Sequence, residues 1–446
     1  MMKKIANLIK DGHFMELLKG GGVSLVVKVI GMLSGFVFQW IITTYYGVGQ
    51  LGLLLSSISV LSIMLLIGKL GLDASFLRFV AEHKVKKEFN TIVQIRSKSL
   101  WVIVPMAVLV NAALYMLSGL IANSVFNRPD LEEPIRLISF AILPMALYQF
   151  NGEGLRGLKR IKEFALVTSA GRFLFGILAF VIAYFFFATD LPPSVLFVIG
   201  CAVTSIFSFW LWRKSFASIR AKNKESSVGE DVPYNSIFNL ALPLLLASST
   251  AFLMNWTDTL ILTYFRSSEE VAVYNVALKF AAVSKLVLIA INSIAAPKFA
   301  EFYGSGDNEG LGKMVRQSTK LIFWASIPLL VVFIAFPTFF LGLYGEEYLV
   351  GALSLSILAG AQFFSAISGS VGNLLQMTGR QKVYRNIILV STIFNISLNI
   401  VLIPAYGIVG AAITGFITII ARNTFSIIYI YRNYGFLTLY IPLIAK

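Results

Sequence analysis

The sequence has little of what most enzyme chemistry needs. It holds one cysteine and two histidines in 446 residues. Cys201 sits in an apolar run with no second thiol for an intramolecular disulfide, so its expected role is core packing. His13 and His83 fall in polar segments without metal-ligand spacing around them, so no metal and no cofactor are expected. There is no phosphate-binding loop of the Walker type, hence no built-in ATPase. Charge is scarce too: Asp, Glu, Lys and Arg make up only 13% of the chain, and acids are few (22 against 37 bases). Residues 1–19 are charged and open no small-residue cleavage site, so no secretory signal is expected there.

What is abundant is apolar surface. Hydrophobic residues are 57% of the chain, and the mean hydropathy of +0.80 leaves no room for a separate soluble domain. A bilayer-spanning helix needs ~20 apolar residues. Twelve runs of about that length are expected, at 20–46, 49–72, 97–121, 135–155, 165–188, 194–213, 237–265, 270–295, 318–344, 349–376, 384–404 and 408–431. The fold class this predicts is an all-α polytopic membrane protein.

The bases are not scattered. They collect before the first run and in alternate gaps, as in Arg78, Lys84, Lys86 and Lys87, or Arg156, Lys159, Arg160 and Lys162. The other gaps contain only Arg128, Arg136 and Arg266, beside acids such as Asp130, Glu132, Glu133, Glu269 and Glu346. Basic loops stay cytoplasmic, which predicts both termini inside and an even number of spans in the cell (inner or plasma) membrane. The net charge of +15 is then explained by topology and by anionic membrane lipids, with no call for nucleic acid. Ile5, Leu8, Ile9 and Leu17 share a helical face beside lysines, which suits an interfacial segment over 1–19.

The second half repeats the first. Thr44-Tyr45-Tyr46 matches Thr263-Tyr264-Phe265, and Leu155 and Arg160 match Leu375 and Arg380, all at nearly one shift. Six runs per half enter the membrane the same way, an architecture of transporters whose parallel lobes face a common axis. The expected division is an N-lobe at 20–213, a polar Ser- and Gly-containing linker at 214–236, a C-lobe at 237–432 and a tail at 433–446.

Three stretches carry a family resemblance: Gly71-Leu72-Asp73-Ala74-Ser75-Phe76-Leu77-Arg78-Phe79, Leu375-Gln376-Met377-Thr378-Gly379-Arg380-Gln381-Lys382, and the run from Asn395 to Ala412. They resemble the polysaccharide-biosynthesis exporters, the O-antigen and capsule flippases of the multidrug/oligosaccharidyl-lipid/polysaccharide superfamily. The resemblance implies two six-helix lobes around a V-shaped cavity. It also implies alternating access that flips an undecaprenyl-pyrophosphate-linked oligosaccharide outward for surface polysaccharide (O-antigen, lipopolysaccharide) assembly, with polysaccharide-assembly proteins as partners.

Charges inside the runs are functional candidates, because burying them costs free energy. Lys28, Arg172, Lys285 and Arg422 are each expected about 12–15 Å into a core ~30 Å thick, a cationic layer suited to pyrophosphate. Lys279 is a fifth candidate, while Lys69 lies near its helix end and is expected to snorkel. Asp258 is the one carboxylate within a run. Equal depth across a tight hairpin favours an ion pair with Lys279; the other reading is that Asp258 exchanges a proton or cation during transport. Trp40, Tyr45, Trp256 and Tyr264 read first as interfacial anchors and second as sugar platforms.

Two alternatives stand beside the flippase. A cation-coupled multidrug exporter of the same fold would need more intramembrane acid than one Asp. A membrane enzyme of polysaccharide assembly would have to use Arg128, Arg136, Asp130 and Glu132, since the other outer loops are tiny.

Overall fold

The computed structural model of the protein describes residues 12–186, 190–222, 231–440 and 442. Residues 1–11, part of the expected interfacial segment, and 223–230, the centre of the expected linker, lie outside the described residues. All the regular structure described is helical: α1 (Gly12–Tyr46), α2 (Val48–Lys69), α3 (Leu72–Val85), α4 (Phe89–Leu120), α5 (Glu132–Ile138), α6 (Ile142–Gly157), α7 (Ile161–Ala165), α8 (Arg172–Phe186), α9 (Pro193–Lys222) and α10 (Tyr234–Phe265). There follow α11 (Ser268–Ala282), α12 (Lys285–Gly304), α13 (Asn308–Ala335), α14 (Pro337–Gly342), α15 (Ala352–Ser368), α16 (Val371–Met377) and α17 (Gln381–Tyr434). The protein is a multi-helix membrane protein, as the apolar runs require.

Among the described residues nine helices are long and apolar enough to cross a membrane. The difference from twelve expected runs has local causes. The run 135–155 is helical throughout but is shared by α5, a 3-10 turn at Ser139–Ala141 and α6, each shorter than a span. The run 237–265 lies within the single helix α10. The runs 384–404 and 408–431 are joined in α17, but Gly407 (φ 56°, ψ −133°) breaks the helical path between them. A side chain at Gly407 would strain that backbone, and its Cβ would also meet Glu270 Oε2 at 2.8 Å. Arg266 satisfies carbonyls freed at this break, donating to Ile403 O at 3.0 Å and Pro404 O at 2.7 Å.

The chain divides into two compact units, one of Val26–Trp256 and another containing Thr257–Lys446. The division falls within α10, whose start packs on the first unit. Gly71 (φ 73°) is so close to α10 that a Cβ there would lie 2.4 Å from Ala241 O. Lys98 adds a 2.5 Å contact to Asp231 and a hydrogen bond to Val232 O. α9 remains helical to Lys222.

Each unit has its own core. In the first, Phe76 stacks on Phe150 at 4.3 Å and meets Trp212 at 5.3 Å. Gly154 permits this, as its Cβ would collide with both Phe76 and Trp212 at 2.5 Å. In the second, Phe299, Leu311, Val315, Leu374, Ile430 and Phe436 form a buried cluster that includes part of the segment after α17.

Candidate functional site

Cations in the first unit come first. The span 161–186 contains a π-helical turn at Leu166–Gly171, and Arg172 follows it directly. Such turns re-aim side chains and often mark functional positions. Small residues let neighbouring helices close on this turn: a Cβ on Gly31 of α1 would lie 2.7 Å from the Ser169 backbone, and one on Gly200 of α9 only 2.2 Å from Arg172 O. The helices that carry Lys28 and Arg172 are therefore packed together. The Arg172 guanidinium lies over Phe173 (4.7 Å) and Phe197 (6.0 Å), and Nη1 donates to Tyr148 OH at 3.4 Å. Its Nε is buried without a hydrogen-bond partner. Among the described residues neither Lys28 nor Arg172 has a carboxylate partner.

Lys69 behaves differently from the expected snorkelling. Its ammonium contacts Asp73 Oδ2 at 2.5 Å and Gln149 Oε1 at 2.7 Å. The i,i+4 spacing and the turn after α2 bring the carboxylate within reach, so the charge is paired locally rather than extended to headgroups.

In the second unit Lys285 opens α12 just after the break at residues 283–284, and it feels the charges of Arg422 and Asp258. It lines a narrow cleft of about 10 Å³ with Ser284, Ser326, Gln362 and Ser365, a space at the threshold for one water. Lys285 and Arg422 have no ion pair among the described residues. Lys279 is partly buried on α11.

Asp258 is held by neutral donors. Tyr274 OH donates to Oδ2 at 2.8 Å and Asn399 Nδ2 to Oδ1 at 2.6 Å. Asn399 also donates to Asn395 Oδ1 at 3.1 Å, and Asn395 to Thr418 Oγ1 at 3.4 Å. Tyr274, about one and a half turns nearer the hairpin than Lys279, is the α11 residue that donates to the carboxylate. Asn399 Oδ1 is buried and unpartnered beside it. One carboxylate with several neutral oxygens can hold a proton or a small monovalent cation. Among the described residues no cluster of three His, Cys, Asp or Glu offers a divalent-metal site.

Sequence reasoning missed Arg96. The gap before the run 97–121 holds it, but α4 begins at Phe89, so Arg96 lies inside the helix. Its Nη2 donates to Asn151 Oδ1 at 3.2 Å, and the guanidinium lies 5.4 Å from the Phe209 ring and 5.7 Å from Trp212. Phe89, Ile92 and Ile95, buried at helical spacing, are the apolar signal that the helix starts before the run 97–121. In the third gap, Arg128 pairs with Asp130 and Arg136 with Glu132, each at 2.5 Å. These contacts are local, surface-exposed ion pairs. Tyr45 and Tyr264 end α1 and α10 as exposed aromatics, with Tyr45 packed on Phe180 and Tyr184.

A family model described as "Polysaccharide biosynthesis protein" matches residues 17–303, and the model MatE matches 243–401. An uncharacterized membrane protein of Methanocaldococcus jannaschii is 25% identical over 225 residues, 50% of this chain and 44% of that protein. A probable low-salt glycan biosynthesis flippase of Haloferax volcanii is 24% identical over 40% of this chain and 38% of its own length. The match thus spans less than half of either relative. A probable flippase of the same organism, AglR, is 28% identical over 58% of this chain and 53% of its own. Among solved structures, lipid II flippase MurJ in an inward closed conformation superposes with TM-score 0.70, at 14% identity, covering 92% of this chain and 87% of that one. An inward-facing multidrug resistance MATE family transporter of the MOP superfamily gives 0.71, also at 14% identity, over 93% and 98%. These likenesses place the fold in the MOP class.

Proposed function

The chain belongs to the polysaccharide biosynthesis protein family, and from that premise we propose that it is a flippase for a lipid-linked oligosaccharide with an anionic phosphate or pyrophosphate linker. One observation carries this reading beyond the family. Lys28, Arg172, Lys285 and Arg422, which fall inside the apolar runs of the sequence, have no carboxylate partner among the described residues. Unpaired cations in such runs are costly unless they meet an anion during the working cycle. A phosphate linker supplies acceptor oxygens of the kind that suit the planar fork of an arginine such as Arg172 or the point charge of a lysine such as Lys285. The flippase relatives and the MurJ likeness support the same substrate class. An undecaprenyl carrier and an O-antigen or lipopolysaccharide destination are the finer form of this proposal. So are cytoplasmic termini, a plasma-membrane location and assembly-protein partners.

A cation-coupled multidrug exporter is the second reading, favoured by the MatE match and by Asp258. Organic cations would meet four unpaired positive charges against one acid, which is the wrong sign. Proteoliposomes decide between them. Expected is protein-dependent transfer of a polyprenyl-pyrophosphate-linked oligosaccharide to the opposite leaflet, read by lectin capture, that is lost in Lys28→Ala/Lys285→Ala. Unchanged transfer in that double variant, or transport of organic cations alone, would overturn the flippase reading.

A further inference from the structure

A groove on the first unit has a use that glycolipid flipping does not require. It holds about 740 Å³, within the 300–1,000 Å³ range of small-molecule sites, and it is lined by α4 and by Trp212 of α9. Val93, Arg96, Leu100, Val104 and Val108 fall three or four residues apart, so they form one stripe along α4. From Val93 to Val108 that stripe is about 22 Å long, more than the ~15 Å of hydrocarbon in one leaflet. Apart from Arg96 and Ser97 every lining side chain is apolar, and Trp101 beside the stripe is 74% exposed. A wall of this composition suits hydrocarbon rather than an aqueous path.

The polar end is equally specific. Arg96 lies seven residues into α4 and immediately before the apolar run 97–121, at the polar end of the stripe. The guanidinium is fixed by Phe209, Trp212 and Asn151, yet its Nε is buried without a partner. A rigid, undersatisfied guanidinium at the mouth of an apolar groove has the layout of a phosphate-headed amphiphile.

We propose that this groove binds an anionic membrane glycerophospholipid, with an acyl chain along Leu100–Val108 and the phosphate at Arg96. Bound there, the lipid bridges α4 and α9, with its phosphate against the groove-lining guanidinium of Arg96.

The test exchanges purified full-length protein into nanodiscs of equimolar phosphatidylglycerol and phosphatidylcholine, then counts retained lipids by native mass spectrometry. One retained phosphatidylglycerol is expected, favoured over phosphatidylcholine by at least fivefold. Arg96→Gln should abolish the preference. Because Arg96 also holds Asn151, Val104→Trp serves as the second variant: it fills the groove, leaves Arg96 in place and should remove the retained lipid with the melting temperature preserved. Millimolar inorganic phosphate should not displace the lipid, since the acyl chain carries much of the contact. Equal retention of the two lipids, full retention in Val104→Trp, displacement by free phosphate, or preferential exchange for a polyprenyl phosphate would each overturn the assignment.

Discussion

Lys159 and Gly379 stand at the same point of the same turn in the two halves of the chain, both with left-handed backbone (φ 61° and 74°). The hydrogen bond that closes the turn is also repeated: Arg160 N donates to Leu155 O at 2.9 Å and Arg380 N to Leu375 O at 2.8 Å. Lys87 and Gly306 form a second such couple (φ 60° and 74°), closed by Glu88 N to His83 O and Asp307 N to Phe302 O. The internal repeat is thus a repeat of backbone geometry, with glycine in one half where the other bears a strained lysine.

This makes the strain testable. Gly379 has open space where a Cβ would go, so Gly379→Ala changes backbone energy and little else. It should destabilise the protein by about 1–2 kcal/mol, the cost of left-handed backbone for an L-residue. Lys159→Gly should leave stability unchanged or raise it slightly, relief of strain being offset by a more flexible unfolded chain. Melting of the detergent-solubilised variants checks both, and a drop for Lys159→Gly would show that its side chain matters more than its φ.

The repeat was legible in the sequence because turn positions recur at one shift even where identity is thin. The helical class was legible because ~20-residue apolar runs have few other solutions. Breaks were harder. Residues 135–155 are as apolar as a single span, and the helix tightens to a 3-10 turn at Ser139–Ala141 within them. The start of α4 includes polar residues that a helix can carry once Lys98 and Arg96 find partners on α9, α10 and the segment before it. The partners of Asp258 were also out of reach: Asn399 lies far along the chain, and only folding brings it within 2.6 Å.

The second prediction concerns orientation. Alternate basic gaps place Glu269 outside and Lys382 inside, and both side chains are exposed. In a Cys201→Ala background, Glu269→Cys should react with an impermeant maleimide on intact cells. Lys382→Cys should react only after permeabilisation. The opposite pattern would invert the topology.

Arg172→Lys is the third. Lysine keeps the charge but loses the planar face on Phe173 and the fork that reaches Tyr148. If the fork engages the phosphate linker, transfer should fall at least tenfold while membrane abundance stays near normal. Wild-type transfer would show that charge alone suffices there.

The last prediction concerns Asp258. Its two oxygens take hydrogen bonds from Tyr274 and Asn399, which are neutral. Had a lysine ammonium been the partner, Asp258→Asn would strand a buried charge at about 3–5 kcal/mol and deplete the protein from the membrane. With neutral donors, asparagine loses one acceptor but strands no ion, at about 1–3 kcal/mol for the imperfectly paired group. Asp258→Asn should therefore reach the membrane in substantial amount. It should nonetheless lose gradient-driven transfer, since it can neither release a proton nor neutralise a cation beside Asn399 Oδ1. Adding Lys279→Met should restore nothing. Membrane abundance and transfer, measured with and without an imposed ion gradient on both singles and the double, separate the cases. Recovery of abundance in the double variant would return Asp258 to a structural pair with Lys279 and remove it from coupling.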